Sequence, residues 1–519
     1  MPEPAFEPIS HSYPEEPIDG LLRRSAQRSP HRTAIRTERG EITFAELDAQ
    51  ASRLACALTE LLDEPGSAVG VPVVLDPSFA IVFNAVSRSN NVIVTINPLL
   101  RESALEHMFV TAGVSAAFVT TALYQRIEPM RHRLPRLRAL IVLDGPAPDG
   151  TSALADLLDG QARVVPPLPQ ATTSVACIQF TSGTTGMPKA VLLSHRNLVV
   201  NAVQVAEAHE LTGDSVTFNH LPAYHLMHLN SAIYAGACQV LCRDPDPVAS
   251  IDAAVANRAG NYYGLPVRLA RLAADPRLSG LHAGSLRGIH SGGSALSVDV
   301  ASVLSAQFGI PVIQGYGLAE AAPLTHCDRL DAPTPGSVGP PVRDTECRIV
   351  HIETRDPLPA GAKGEVQVRG PQVMLGYLQP DEPSPIDADG WLSTGDVGYQ
   401  DANGRLFLVD RIKDVFKCDN ELVSPAEIER VLAAHPAVRD CVVVDYPHRF
   451  SGAVAYAFVV PHDPAAADLA EITNFVNAKV PYYQCIHHME LAEVIPRSPI
   501  GKIQRRVLRD RLLARGRTE

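Results

Sequence analysis

Residues Phe180 to Lys189 read FTSGTTGMPK, a run of glycine and hydroxyl side chains between two apolar segments, Val175-Ala176-Cys177-Ile178 and Ala190-Val191-Leu192-Leu193. Apolar runs that short read as strands, so the chain must fold with a polar loop between neighbouring strands. Gly183 and Gly186 allow backbone conformations closed to other residues and turn main-chain N–H groups toward an anion. Thr181, Ser182, Thr184 and Thr185 add hydroxyl donors, and Lys189 adds a positive charge. A flexible Ser/Thr/Gly surface loop has the same composition, but few such loops run from a strand-like segment into a lysine and then a second one. The Walker phosphate loop is excluded. It needs four residues between its glycines and Ser or Thr after the lysine, whereas two separate Gly183 from Gly186 and Ala190 follows Lys189. The spacing predicts a strand-loop-strand phosphate clamp, with Ser194 capping a helix that begins near His195.

Lysine is scarce. Of 45 Lys plus Arg, lysine occurs only at 189, 363, 413, 417, 479 and 502. Where arginine meets most cationic needs, a lysine marks a place that wants a compact, mobile point charge, unless the survivors are scattered by compositional bias. At 519 residues the chain exceeds one ordinary core. A hydrophobic fraction of 46% with 20% charge is that of a globular protein. A net charge of −12 argues against a nucleic-acid binder, so a bound nucleotide is expected to be a small molecule. Nine dispersed cysteines without a Cys-x-x-Cys pair favour reduced thiols and a cytoplasmic location. Met1 to Pro17 lacks the basic start and apolar run of a signal peptide, and no segment is long and apolar enough to predict a membrane span.

Helix-like stretches such as Thr43 to Leu62 and Arg101 to Ala112 alternate with β-rich runs such as Val71 to Leu75 and Ala116 to Thr120. That alternation predicts layered α/β architecture. From about 336 to 409 the pattern turns strand-dominated. Beyond about 410 a small α+β unit is expected, with helices at about Ser424 to Ala434 and Ala467 to Lys479, strands at Val438 to Asp445 and Val454 to Val460, and a basic C-terminal helix. Ser424-Pro425-Ala426-Glu427 is a helix start with Ser at N-cap and Pro at N1. The expected organisation is α/β: a large N-terminal unit of several subdomains over 1–409, closing in a β-rich part, then a mobile α+β domain over 410–519.

Further polar segments lie between glycines: Ser291-Gly292-Gly293-Ser294-Ala295 and Gln314-Gly315-Tyr316-Gly317-Leu318-Ala319-Glu320. Glu320 suits a hard cation such as Mg2+. Ser393-Thr394-Gly395-Asp396 is expected to precede a strand, with Asp396 accepting hydrogen bonds from a sugar diol. Asp410 to Asp414 gathers charge at the expected boundary. Each of these alone has an ordinary structural explanation.

In this order the segments closely resemble the motifs of the adenylate-forming superfamily of acyl-CoA synthetases, nonribosomal adenylation domains and luciferases. The resemblance runs from Phe180 to Lys502 and extends to Ile42-Thr43-Phe44-Ala45-Glu46-Leu47 and Asn97-Pro98. It implies that Thr181 to Lys189 embraces ATP phosphates, that Gly292 to Ala295 and Gln314 to Gly317 border adenine, and that Ala319 occupies a nucleotide-contacting position. It further implies that Glu320 with Thr184 serves Mg2+, that Asp396 holds the ribose hydroxyls, and that Arg411 holds the ribose–phosphate edge. His225, from Leu221-Pro222-Ala223-Tyr224-His225, with Leu226, Met227 and Gly317, would form the acyl pocket. Lys413 falls at the family's hinge, Lys417 and Asn420 at the CoA channel, and Lys502 in the C-terminal motif, where it contacts the carboxylate and α-phosphate during adenylation. The implied enzyme is an acyl-CoA ligase using ATP, or an acyl-AMP, with Mg2+ and CoA. It works by rotating the C-terminal domain between adenylation and thioester formation.

Two positions depart from the family pattern. Where most relatives have threonine this chain has Ala319, and a lost hydrogen bond to a charged group costs about 1.5–3 kcal/mol. Asn420 stands where glycine is usual. An alternative is therefore an enzyme weak in adenylation that takes a preformed acyl-adenylate from a partner enzyme. Loading of a carrier protein and luciferase-like oxidation are further alternatives. Amino-acid-activating relatives carry aspartate after the position of His225; here it is Leu226, which points to a carboxylic acid without an α-amino group. Met227, His228, Leu229 and Tyr262-Tyr263-Gly264 suggest an apolar or aromatic pocket, or are ordinary core side chains.

Overall fold

The computed structural model describes residues 12–62, 64–159, 170–181, 188–379, 383–419, 421–465, 467–497 and 503–515. Two eight-stranded sheets dominate the large unit. In one, the parallel strands Val312–Gly317, Gly288–Ser291, Asn261–Gly264, Val216–His220, Cys238–Leu241 and Thr33–Thr37 lie side by side, with Leu324–Cys327 and Gly40–Thr43 as antiparallel edges. The other runs from Gly376–Tyr377 through Ala190–Ser194, Val175–Phe180, Val92–Ile96, Ala68–Pro72, Ala116–Val119 and Ala139–Val142 to Ser152–Ala153. Parallel strands covered on both faces read as unbroken apolar runs, and Ala116–Val119 is buried at every position.

The helices Phe44–Leu61, Pro77–Arg88, His195–Ala208 and Leu226–Ala235 contribute to one core together with strands of both sheets. In Phe44–Leu61 the buried Leu47, Ala51, Leu54, Ala55 and Leu58 recur at helical spacing. Thr43 and Glu46 form a reciprocal capping box at its start, which gives the motif Ile42 to Leu47 a local physical reason. Ser194 and Asn197 do the same for His195–Ala208. The strand expected over Val71 to Leu75 is displaced to Ala68–Pro72. Pro77 at the first turn and Asp76 as N-cap instead commit the following residues to a helix.

A four-stranded antiparallel sheet follows: Glu346–Val350, Gly364–Arg369, Leu392–Gln400 and Leu406–Arg411. Asp396 lies within the third of these strands, not before it as expected, because Ser393 and Val397 both pair with Gly364–Arg369. The small unit beyond it has a five-stranded sheet built on the hairpin Val438–His448 and Gly452–Pro461. Phe416–Cys418, Glu421–Val423 and the parallel Ile486–Leu491 complete it. Helices Pro425–Ala433 and Leu469–Asn477 pack on this sheet, and Arg505–Arg515 adds a further cluster around Leu508 and Leu512. Ser424 caps Pro425–Ala433 by accepting from Glu427 N–H, and Asp410 accepts from Ser424 Oγ and Ala426 N–H.

Candidate functional site

The glycine loop is carried on an antiparallel hairpin: Val175–Phe180 pairs with Ala190–Ser194 in the register Phe180 to Ala190. At its neck Thr181 N–H donates to Lys189 O at 2.9 Å, and Lys189 N–H donates to Thr181 Oγ1 at 3.1 Å. Ser182, Gly183, Thr184, Thr185 and Gly186 lie outside the described residues, as do Asn420 and Lys502. The exposed Lys189 places its Nζ 5.0 Å from the centroid of the Tyr377 ring, within cation–π range. Tyr377 OH in turn donates to Glu320 Oε1 at 2.8 Å. Gly376–Tyr377 gets there by pairing with the strand after the loop, Gly376 opposite Leu192 and Tyr377 opposite Val191. Met374 N–H closes the arrangement by donating to Glu320 O at 2.8 Å. Glu320 sits half-buried on the short turn Ala319–Ala321, where Ala319 packs against the main core.

A second cluster gathers on Asp396. Tyr316 OH donates to Asp396 Oδ2 at 2.5 Å, and Arg411 Nε lies 2.8 Å from Oδ1. The backbone register makes this possible, because Asp396 and Arg411 are direct antiparallel partners. Burial, and then the Asp396 charge, push the Tyr316 phenol well above its ordinary range, so it stays a donor. Between Tyr316 and the turn, Gly317 is obligatory: a Cβ there would lie 2.2 Å from Pro323 O. Gly293, at φ +83°, adopts the left-handed conformation that favours glycine. Gln314 Oε1 accepts from Leu296 N–H at 2.7 Å, and a Cβ on Gly292 would meet Gly315 O at 3.3 Å. The segments Gly292–Gly293–Ser294–Ala295 and Gln314–Gly315 are thereby held edge to edge.

His225 caps Leu226–Ala235 by accepting from Met227 N–H through Nδ1 at 3.2 Å. Burial holds its pKa down to about 4, so it is neutral at physiological pH. Leu226 is buried in the main core, and Met227 packs against the cluster of Val205, Ile313, Leu324, Cys327 and Val342. One turn on, His228 stacks against Tyr263 at 4.1 Å. His209 and His290 join them, their rings 4.6 Å apart.

Lys413 lies in the turn after Arg411, where Ile412 N–H donates to Gly395 O at 2.9 Å. Lys417 is paired with Glu353, and Lys363 with Glu427, so both ion pairs join the small unit to the four-stranded sheet region. Sequence reasoning missed Tyr377, His209 and His290. Position was the only signal for two of them: His290 directly precedes Ser291-Gly292, and Tyr377 sits in a two-residue strand. His209, at the end of a helix far from any motif, gave none.

Ser291 and Tyr316 stand at or near the carboxyl ends of parallel strands, the usual place for a ligand in an open α/β sheet, and Tyr316 reaches from there to Asp396. The family model described as AMP-binding enzyme matches residues 22–378, and that described as AMP-binding enzyme C-terminal domain matches 427–502. The chain belongs to this adenylate-forming family, in the branch of ATP-dependent, AMP-forming acid–thiol ligases that work with ATP, Mg2+ and CoA. It is 32% identical over 515 residues to 4-coumarate–CoA ligase 5 of Oryza sativa subsp. japonica, covering 96% of this chain and 94% of that protein. It is 31% identical to a feruloyl-CoA synthase of Amycolatopsis sp, covering 94% and 97%. The ATP-bound crystal structure of MatB from Rhodopseudomonas palustris superposes with a TM-score of 0.87 at 27% identity, covering 96% of this chain and 99% of that one.

The donor set fits Mg2+ in its usual mode. Among the described residues no group of three or more His, Cys, Asp or Glu side chains could hold a metal ion alone. A single carboxylate such as Glu320, joined through Tyr377 to Lys189, suits an ion shared with a substrate's phosphates. Among the described residues, no helix is long and apolar enough to cross a membrane.

Proposed function

We propose that this chain activates a carboxylic acid without an α-amino group as its acyl-adenylate and then transfers the acyl group to the thiol of CoA. The observation that carries the proposal is the convergence on Asp396 of Tyr316, 80 residues away, and of Arg411, from the last strand before the small unit. Such a carboxylate, fixed at both oxygens, is oriented to accept from a ribose diol, and Arg411 sits where an adjoining phosphate would lie. Lys189 and the loop it closes hold the β- and γ-phosphates. Glu320, oriented by Tyr377, holds Mg2+, which supplies positive charge to the phosphates when bound.

The chemistry is governed by charge. The carboxylate of the acid attacks the α-phosphorus, forming an acyl–O–P bond and breaking the bond to pyrophosphate, so negative charge must be offset as the two anions meet. Lys502 does this during adenylation, reaching in from the small unit. The small unit then rotates about Lys413, withdrawing Lys502 and bringing the Lys417 and Asn420 segment to the thiol path. The thiolate of CoA attacks the acyl carbon and AMP leaves with the bonding pair. His225, neutral and fixed by its bond to Met227 N–H, borders the acyl carbonyl. Leu226 supplies no carboxylate for an α-ammonium, and the names of the relatives, 4-coumarate and feruloyl, are those of aromatic acids.

Lys502→Ala separates the two steps. It is expected to abolish acid-dependent AMP formation and to spare CoA attack on supplied adenylate; if neither rate changes, the assigned role is wrong. A screen of carboxylic acids with ATP, Mg2+ and CoA, reading AMP and acyl-CoA separately by mass spectrometry, identifies the acid. Ala319 favours a second reading, in which the chain mainly esterifies an adenylate made elsewhere. Full rates for both steps in the purified protein would remove it.

A further inference from the structure

Between the segment that starts at His225 and the one that ends at Ser291 lies a buried cluster of His209, His228, His290, Tyr263 and Asn261. Burial pushes all three imidazoles toward the neutral form, His209 to about 4 and the other two well below the ordinary histidine range, and neighbouring histidines add to the effect on His228 and His290. A neutral imidazole carries one N–H, and the neighbours say which nitrogen of His290 holds it. Asn261 Nδ2 donates to His209 O at 2.9 Å, while Asn261 Oδ1 faces Arg287 Nη2 at 3.4 Å, so the amide nitrogen is the atom turned inward. That same Nδ2 lies 3.2 Å from His290 Nε2, which must therefore accept. The His290 proton then sits on Nδ1, and among the described residues His290 Nδ1 has no hydrogen-bond partner although His290 is only 6% exposed. His228 Nδ1 is likewise buried without a partner, on a residue 8% exposed. Unsatisfied buried polar atoms are rare and an unmet donor is costly, so the His290 Nδ1–H beside the proposed acyl-binding segment calls for an occupant.

We infer that His290 Nδ1–H, with His228 beside it, hydrogen-bonds an uncharged oxygen at the far end of the acyl group, so that the enzyme selects a hydroxyl- or carbonyl-bearing acid over its plain hydrocarbon counterpart. This rests on the acid-activating function proposed above and names the substrate class of that site. A second carboxylate does not suit the cluster, because burying an anion requires a paired cation. Arg287, the cation that reaches Asn261, is already 3.6 Å from Glu210. Tyr263 OH is engaged by His209 Nδ1 at 3.0 Å and its ring packs against His228 at 4.1 Å, so the contacts of Tyr263 are already taken up within the cluster.

The test uses the full chain with ATP, Mg2+ and CoA on matched acids: 4-hydroxycinnamic against cinnamic, 4-hydroxybenzoic against benzoic, and octanoic acid. Acid-dependent pyrophosphate release and acyl-CoA are read separately. The oxygenated member is expected to be favoured in kcat/KM by roughly ten-fold or more, since a site built to hydrogen-bond a group rejects the analogue lacking it. His290→Leu should bring that ratio close to one, and His290→Gln, which keeps a donor, should retain part of it. A wild-type preference for the unsubstituted acid, or a ratio unmoved by His290→Leu, overturns the inference and leaves the ligase intact. If His290→Leu does not fold, the same ratio in His228→Leu and His290→Gln decides. Should no acid release pyrophosphate and no supplied adenylate yield acyl-CoA, the ligase reading itself falls and the inference with it.

Discussion

Asp396 and His290 are equally buried, each 6% exposed, yet their polar atoms are treated in opposite ways. Both oxygens of Asp396 are engaged by Tyr316 and Arg411, whereas His290 keeps a ring nitrogen with no partner among the described residues. A carboxylate cannot stay buried and charged without compensation, so the Asp396 cluster must be organised before any ligand arrives. The neutral imidazole tolerates being unsatisfied at lower cost, which is what the hydrogen bond proposed for His290 requires.

The sharpest way to break this contrast is Asp396→Ala. It leaves the buried Tyr316 hydroxyl and the Arg411 guanidinium without their shared acceptor and removes the proposed ribose contact. Adenylation is expected to fall roughly a hundred- to thousand-fold, from two or so charge-assisted hydrogen bonds. Pyrophosphate exchange with varied ATP measures it, and a change under five-fold would show that Asp396 serves the fold alone. Next comes Ala319→Thr, which restores the hydroxyl usual in the family. If its absence limits the first step, adenylation rises about ten- to hundred-fold while esterification of supplied adenylate stays level. No gain in the first step would mean that the neighbouring donors already compensate.

The buried histidines make a pH prediction that the Asp396 cluster does not. His209 and His225 are held down to about 4 by burial, against about 6.5 for an unfolded histidine. Between these values the unfolded chain binds more protons than the folded one, so stability rises with pH there. It is fully present above about 6.5 and is lost as the pH falls through that value toward 4. Each such residue accounts for on the order of 2 kcal/mol by pH 5. The urea midpoint is therefore expected to drop clearly between pH 7 and pH 5; a flat midpoint would mean that the cluster is solvated.

How much of this was legible beforehand follows the same division. The glycine-loop hairpin, the caps at Ser194 and Ser424, and the small α+β unit are local: each is written in residues adjacent in sequence. Tyr316, Asp396 and Arg411 were each singled out, but their meeting depends on strand register, which no spacing reveals. The displaced strand Ala68–Pro72 and the placement of Asp396 inside a strand are errors of boundary, where short apolar runs give a weak signal. The cluster of His209, His228 and His290 was invisible for a stronger reason. Its members come from two helix ends and a strand, and only their packing against Tyr263 makes them one environment.

Tyr377 gives the smallest test, and the one that asks whether preorganisation extends to the metal-binding end. Its hydroxyl fixes one oxygen of Glu320, and its ring lies 5.0 Å from the Lys189 ammonium, so a single side chain sets both charges relative to each other. Tyr377→Phe removes only the hydroxyl and keeps the ring under Lys189. Glu320 then loses one orienting donor in a half-buried position, and adenylation is expected to fall roughly ten-fold with a raised Mg2+ requirement. Because the ring is retained, the KM for ATP should move little, which separates this effect from a general collapse of the loop. Tyr377→Leu, which also removes the ring, should raise that KM as well. Equal behaviour of the two variants would show that the hydroxyl does all the orienting and that the ring over Lys189 is only packing.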